Sequence, residues 1–237
     1  MILLPNGISY KFFNKLHKPH IPYKIHGTNR YIYFTAKETI IQEFGADGLV
    51  LVSQIHSNNI VYYDQKSVVR SQKIADGIIT TKRKLVIAIK TADCVPVLIY
   101  NKLGNIIANL HCGWKGIKLG IITKAVNKMK NVIGNNNFYA IIGPAIQKKS
   151  YQVDNKFKQE FIDTDSNSKA FFVTVEKKIY FDLPGYIVYI LEKNNVEVTT
   201  RHEENTYEMH NIYPSYRKAY HLNQEENLRF VTAIMMS

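Results

Sequence analysis

Short apolar runs rich in Leu, Val and Ile punctuate this chain, at 48–56, 85–89, 95–100, 105–111, 138–142, 196–200 and 228–235. Bounded by Gly, Pro and polar residues, they predict buried strands. Helical periodicity is clearest after Gly116. Ile121, Ile122, Ala125, Met129, Val132 and Ile133 share one stripe, with Lys124, Asn127, Lys128 and Asn131 opposite and Gly134 as the stop. Shorter helices are expected over 35–45, 155–162 and from Pro184 to Lys193, and a hairpin over 171–181 turning near Glu176-Lys177. No repeat and no Gly- or Ser-rich linker divides the chain, and the elements lack a regular βαβ rhythm. The expectation is an α/β (mixed α+β) fold, one domain over 1–237, with mixed sheets flanked by helices.

Of the 237 residues 46% are hydrophobic and 21% charged, which provides a core and excludes global disorder. No apolar run approaches 18 residues, so no membrane helix and no membrane partner are expected. Met1 to Leu4, followed by Pro5, is too short for a signal-peptide core, and two cysteines cannot staple a domain of this size. A cytoplasmic protein, monomeric or weakly dimeric, is expected. Lys and Arg exceed Asp and Glu by 31 to 19, a net +12. The lysines fall singly or in short runs, which predicts a diffuse basic surface and no specific nucleic acid partner. The densest alternative patch interleaves Lys11, Lys15, Lys18 and Lys24 with Phe12, Phe13 and Tyr23.

Three segments set reactive side chains at strand ends: Ser53-Gln54-Ile55-His56, Thr91-Ala92-Asp93-Cys94-Val95-Pro96 and Leu110-His111-Cys112-Gly113-Trp114. From spacing alone three readings stand. His56, Cys94 and His111 are zinc ligands with a fourth position open; or Cys94 is a nucleophile with a histidine base; or the three are a buried Cys and two ordinary histidines. Cys112 follows His111 directly, so on a strand it faces the other way, into the core.

Gln54-Ile55-His56, Ala75-Asp76-Gly77-Ile78-Ile79-Thr80, Thr91-Ala92-Asp93-Cys94-Val95-Pro96-Val97-Leu98, His111-Cys112-Gly113-Trp114-Lys115-Gly116, Ile142-Gly143-Pro144-Ala145-Ile146 and Ser215-Tyr216-Arg217 occur in that order. In this the chain resembles the YfiH laccase-domain family, named as polyphenol oxidases and understood as purine nucleoside phosphorylases, over about residues 48–218. The resemblance implies a fold like the catalytic domain of bacterial cytotoxic necrotizing factor and a zinc site made by His56, Cys94 and His111. It implies phosphorolysis of adenosine, inosine and methylthioadenosine, with adenosine deamination as a side activity and with purine nucleoside and phosphate as partners. Copper-dependent polyphenol oxidation, Cys–His hydrolysis, or metal binding with weakened catalysis are the alternatives. The chain departs from the family at Cys112 and Lys115, where Ala and Arg are common, at 147–153, at Asn205-Thr206-Tyr207, and over 1–47, which lacks the family's Thr-Arg-x-Gly-Gly-Val-Ser segment.

Within that frame Asp93 is the candidate to orient a ligand or move a proton, or simply to form a turn. Gln54 and Asp76 are candidates for substrate contact, Lys115 and Arg217 for phosphate, and the backbone at Gly143 for an anion. Each of these also has a plain reading as a turn, a structural bond or surface charge. Trp114 is expected to pack rather than to stack on a base.

Overall fold

The computed structural model describes residues 1–16, 21–22, 29–67 and 72–237, with backbone alone at 21–22 and 29–35. Lys18, Tyr23 and Lys24 of the basic patch lie outside the described residues.

Two six-stranded sheets pack face to face. The first runs Ile2–Leu3, Ile8–Phe13, Leu228–Met236, Leu85–Thr91, Gly48–Leu51, with Ile21–Pro22 also paired to Leu228–Met236. The second runs Val196–Arg201, Phe138–Ile142, Val95–Asn101, Ile107–Cys112, Gly77–Thr80, Ile60–Tyr63. Both mix parallel and antiparallel pairs. Strand alternation makes the layers. Ile87, Ile89 and Ile234 of the first sheet meet Ile78, Leu98, Ile107 and Ile141 of the second in a shared core. Val86, Ala88, Val231 and Ala233 point the other way, onto Ala36, Ile40 and Phe44 of the helix Asn29–Phe44. The outer face of the second sheet is covered by Ile121–Ile133 and Leu183–Lys193. The order of layers is helix, sheet, sheet, helix. One polar side chain bridges the sheets: Asn109 Nδ2 donates to Ile87 O at 3.1 Å and Thr232 O at 2.8 Å.

The apolar runs form strands as expected except at 48–56, where the strand stops at Leu51 and His56 falls in a turn at positive φ; the hairpin turns at Glu176 and Lys177, both with positive φ. The expected helix before Ile133 is two, Trp114–Lys118 and Ile121–Ile133, broken where Gly120 takes a φ of 78°. Val126 is buried on the stripe, and Val132 is exposed. The first helix begins at Asn29, ahead of the expected Thr35, and ends before Gly45, whose φ is 59°. Within 1–47, Ile8–Phe13 is a sheet strand paired along Leu228–Met236. Two cations of the basic patch are paired, Lys11 with Glu43 and Lys15 with Glu226 at 3.5 Å.

Candidate active site and metal centre

His56, Cys94 and His111 meet at one end of the sandwich, their donor atoms within 4.8 Å of one another. Alternation along Ile107–Cys112 aims His111 between the sheets with Ile107 and Asn109, and sends Cys112 into the helix-covered core. Cys94 ends the crossover 92–94, which passes from Leu85–Thr91 in the first sheet to Val95–Asn101 in the second. Asp93 makes that turn at a φ of 86°, and His56 sits at 61°, both in the left-handed region. Such conformations cost about 1–3 kcal/mol each and persist only where surrounding bonds fix them.

Asp76 supplies those bonds at His56. Wholly buried, its carboxylate accepts from the backbone N–H groups of Ile55 (3.2 Å), His56 (2.9 Å) and Ser57 (2.7 Å) and from Ser57 Oγ (2.7 Å). His111 Nδ1 lies 2.8 Å from the same carboxylate. The 55–57 turn thus closes around Asp76 as a nest closes around an anion, and one carboxylate sets both histidines. Burial pushes the Asp76 carboxyl up, but the bonds from His111 and Ser57 outweigh it and hold the pKa at about 2.

With Nδ1 on Asp76, His111 keeps Nε2 for the cluster. Cys94 Sγ is 3.7 Å from His56 Nε2. Burial raises the Cys94 thiol, but the charge and hydrogen bonding of His111, then of His56, bring it down to about 6. Burial lowers His111, and Cys94 and Asp76 carry it up to about 9. Each group thus favours the charged form of the other, thiolate and imidazolium. Cys112, in the core, is pushed the opposite way by burial. Gly113 permits the close approach, since a Cβ there would stand 2.9 Å from His56 Cδ2 and 3.1 Å from Cys94 Sγ. Two imidazoles and a thiolate, one imidazole backed by a carboxylate, fit a tetrahedral metal with an open position.

The cluster opens on a cavity of about 760 Å³, within the usual range of small-molecule sites. Buried Tyr151, half-buried Trp114 and exposed Tyr216 give it aromatic surface. Gln54 lines it, but its amide is tied to one strand residue: Nε2 donates to Lys90 O at 2.7 Å and Oε1 accepts from Lys90 N at 2.8 Å. Asp93 accepts from Thr206 Oγ1 and from Arg217 N, both at 2.7 Å. Arg217 lines the cavity with its guanidinium 5.2 Å from the Tyr151 ring centre and Nη1 donating to Gln152 O at 2.7 Å. Lys115 does not line the cavity; it is exposed, its ammonium 5.4 Å from the Trp114 ring centre. Gly143 is also outside the cavity lining. Its N–H donates to Pro96 O at 2.9 Å, and a Cβ would stand 2.3 Å from Phe12. It serves close packing and has no N–H to offer an anion.

The family described as multi-copper polyphenol oxidoreductase laccase matches residues 34–237. The chain belongs to that family. A family member from Rickettsia prowazekii, named a purine nucleoside phosphorylase, is 36% identical over 99% of each chain. The purine nucleoside phosphorylase YfiH of Escherichia coli is 27% identical over 71% of this chain and 68% of its own. A Neisseria meningitidis crystal structure of the DUF152 family, 21% identical, superposes with a TM-score of 0.85 over 98% of this chain and 96% of its own.

Despite the description of the laccase family, the described residues bring three or more His, Cys, Asp or Glu donors together once, at His56, Cys94 and His111. No helix among them is long and apolar enough to cross a membrane. Sequence reasoning missed Tyr151 in this wall, although it lies within the 147–153 departure from the family pattern. That departure and the one at 205–207 touch: Asn205 Nδ2 donates to Ser150 Oγ at 2.8 Å, and its Oδ1 accepts from Gln147 N at 3.3 Å. It also missed Asp76 as the organiser of both histidines, for which Ala75-Asp76-Gly77 ahead of a buried strand was the available signal.

Proposed function

We propose that this chain is a zinc-dependent purine nucleoside phosphorylase acting on adenosine, inosine and methylthioadenosine, with adenosine deamination as a side activity. The observation that carries the reading is the one donor cluster among the described residues, set by Asp76, opening on an aromatic-walled cavity of nucleoside size. The names of the relatives support it. His56, Cys94 and His111 would hold the ion, which supplies Lewis acidity when bound.

Phosphorolysis joins a phosphate oxygen to the ribose C1′ while the C1′–N9 electron pair leaves with the purine, which takes a proton. The chain's part is to hold both reactants and keep water out. Trp114, packed on Phe157 as expected, and Tyr151 line the cavity with aromatic surface, and Arg217, stacked on Tyr151, stiffens that wall. Asp93 acts through Arg217 and Thr206, as a positioning residue.

A second reading has its own observation. Without metal, Cys94, His111 and Asp76 stand in the order of nucleophile, base and orienting carboxylate. Incubation of adenosine with and without orthophosphate tests the first reading. Adenine and ribose 1-phosphate released only with orthophosphate are expected; equal adenine release without it, as hydrolysis to free ribose would give, or none in either, overturns the reading. Ester hydrolysis by metal-stripped protein, lost in Cys94→Ser, would establish the second.

A further inference from the structure

Beside the Cys94 loop, the cavity wall carries two cations. Lys90 and Arg229 both line it, and both are half-buried. They come from neighbouring antiparallel strands in which Lys90 pairs with Val231. Residue 229 therefore projects from the same sheet face one diagonal step away, within reach for long side chains. Lys90 sits four residues before Cys94, which puts its Cα at most about 14 Å from that of the cysteine.

Nothing acidic offsets Lys90. Among the described residues its ammonium makes no ion pair. The segments outside them, 17–20, 23–28 and 68–71, contain no Asp or Glu, nor do 21–22 and 29–35. The cavity's own carboxylate, Asp93, is taken by Thr206 and Arg217. Arg229 is oriented by its own turn, Nη1 donating to Glu226 O at 2.8 Å and Leu228 O at 2.6 Å. Gln54, by bonding both backbone groups of Lys90, fixes the segment that carries the ammonium. Burial, and then the Arg229 charge, push the Lys90 pKa below the ordinary lysine value. Two like charges are held together at a partly dehydrated wall, an arrangement that a doubly charged anion reverses from repulsion to attraction.

We propose that Lys90 and Arg229 form the phosphate subsite of this cavity, holding orthophosphate between ammonium and guanidinium. The proposal rests on the phosphorolysis reading and names where its second substrate binds. Arginine matches phosphate with two parallel N–H bonds and lysine adds a point charge. Arg217 and Lys115 are placed less well for the task, the first stacked on Tyr151 and the second exposed outside the cavity. The chemistry recognised is a phosphate dianion, free or on a nucleotide; the subsite is assigned to the free ion.

Orthophosphate binding to the full-length, metal-loaded protein, read by calorimetry beside the Michaelis constant for phosphate, tests this. Lys90→Met should weaken phosphate about tenfold to a hundredfold on both measures, with metal content and melting temperature unchanged. Arg229→Lys, which keeps the charge and loses the fork, should weaken it less. Wild-type phosphate affinity in Lys90→Met overturns the subsite, even if wild-type protein proves a phosphorylase. Lys90-dependent orthophosphate binding by a protein that does not cleave adenosine supports the subsite and removes the phosphorolysis reading instead. Adenosine 5′-monophosphate that binds much more tightly than orthophosphate, and through Lys90, overturns the assignment to the free ion.

Discussion

At the His56–Cys94–His111 end of the cavity a single carboxylate, Asp76, gathers the loop of His56 and the ring of His111 through five contacts. At the other wall Lys90 has a cation for a neighbour and no carboxylate among the described residues. The first arrangement is rigid before anything binds, and suits an ion that needs fixed donors. The second is electrostatically incomplete, and suits a substrate that arrives and leaves. Both ends stand on strands of the same sandwich, so the difference lies in the side chains and not in the scaffold.

The largest expected effect comes from breaking the rigid end. Asp76→Ala leaves buried donors and the His111 ring without an acceptor, and should cost about 3–5 kcal/mol in denaturant unfolding, with loss of metal. The pH dependence has a defined sign. The folded-state pKa of Asp76 is depressed to about 2, so its stabilisation is complete above the ordinary carboxylate range near 4 and is lost as pH falls toward 2. The stability gap between wild type and Asp76→Ala should therefore narrow below about pH 4; a gap that widens there would contradict this account of Asp76.

Gly113→Ala is the next test of that rigidity. The added methyl meets the His56 ring at 2.9 Å, and should cost about 1–3 kcal/mol and weaken metal binding. Unchanged metal affinity would show that the cluster has more room than its geometry allows.

Much of this scaffold was legible in the sequence, because short apolar runs and glycine stops act locally. The strands at 85–91, 95–101 and 107–112, the hairpin turn at Glu176-Lys177 and the end of the helix before Gly134 all follow from such signals. The sandwich did not, since which strand meets which is set by distant pairings such as Ile8–Phe13 with Leu228–Met236. The same holds at the site. Alternation alone separates His111 from Cys112. That Asp76 serves His56, twenty residues earlier, depends on the 55–57 turn folding back over the Gly77–Thr80 strand. Gln54 has a substrate-facing address in sequence, yet its amide copies a strand's hydrogen bonds to Lys90. Lys115 follows a functional strand, yet the helix that begins at Trp114 turns it outward.

Arg217 and Lys115 give the smallest effects and separate wall from surface. Arg217→Ala should raise the Michaelis constant for nucleoside by about tenfold, through loss of the stacked wall at Tyr151, and change the constant for phosphate less. Lys115→Ala should change either by less than about twofold, as expected of an exposed charge. A larger phosphate effect at Lys115 than at Lys90 would reverse the comparison between the two walls.

One cluster, made by His56, Cys94 and His111, is proposed to hold one metal ion. Metal content per chain, measured by plasma mass spectrometry on wild type, Cys94→Ala and Cys112→Ala purified side by side, tests it most directly. About one zinc per chain is expected in wild type and in Cys112→Ala, whose side chain lies in the core, and none in Cys94→Ala. Equal metal in wild type and Cys94→Ala would contradict it.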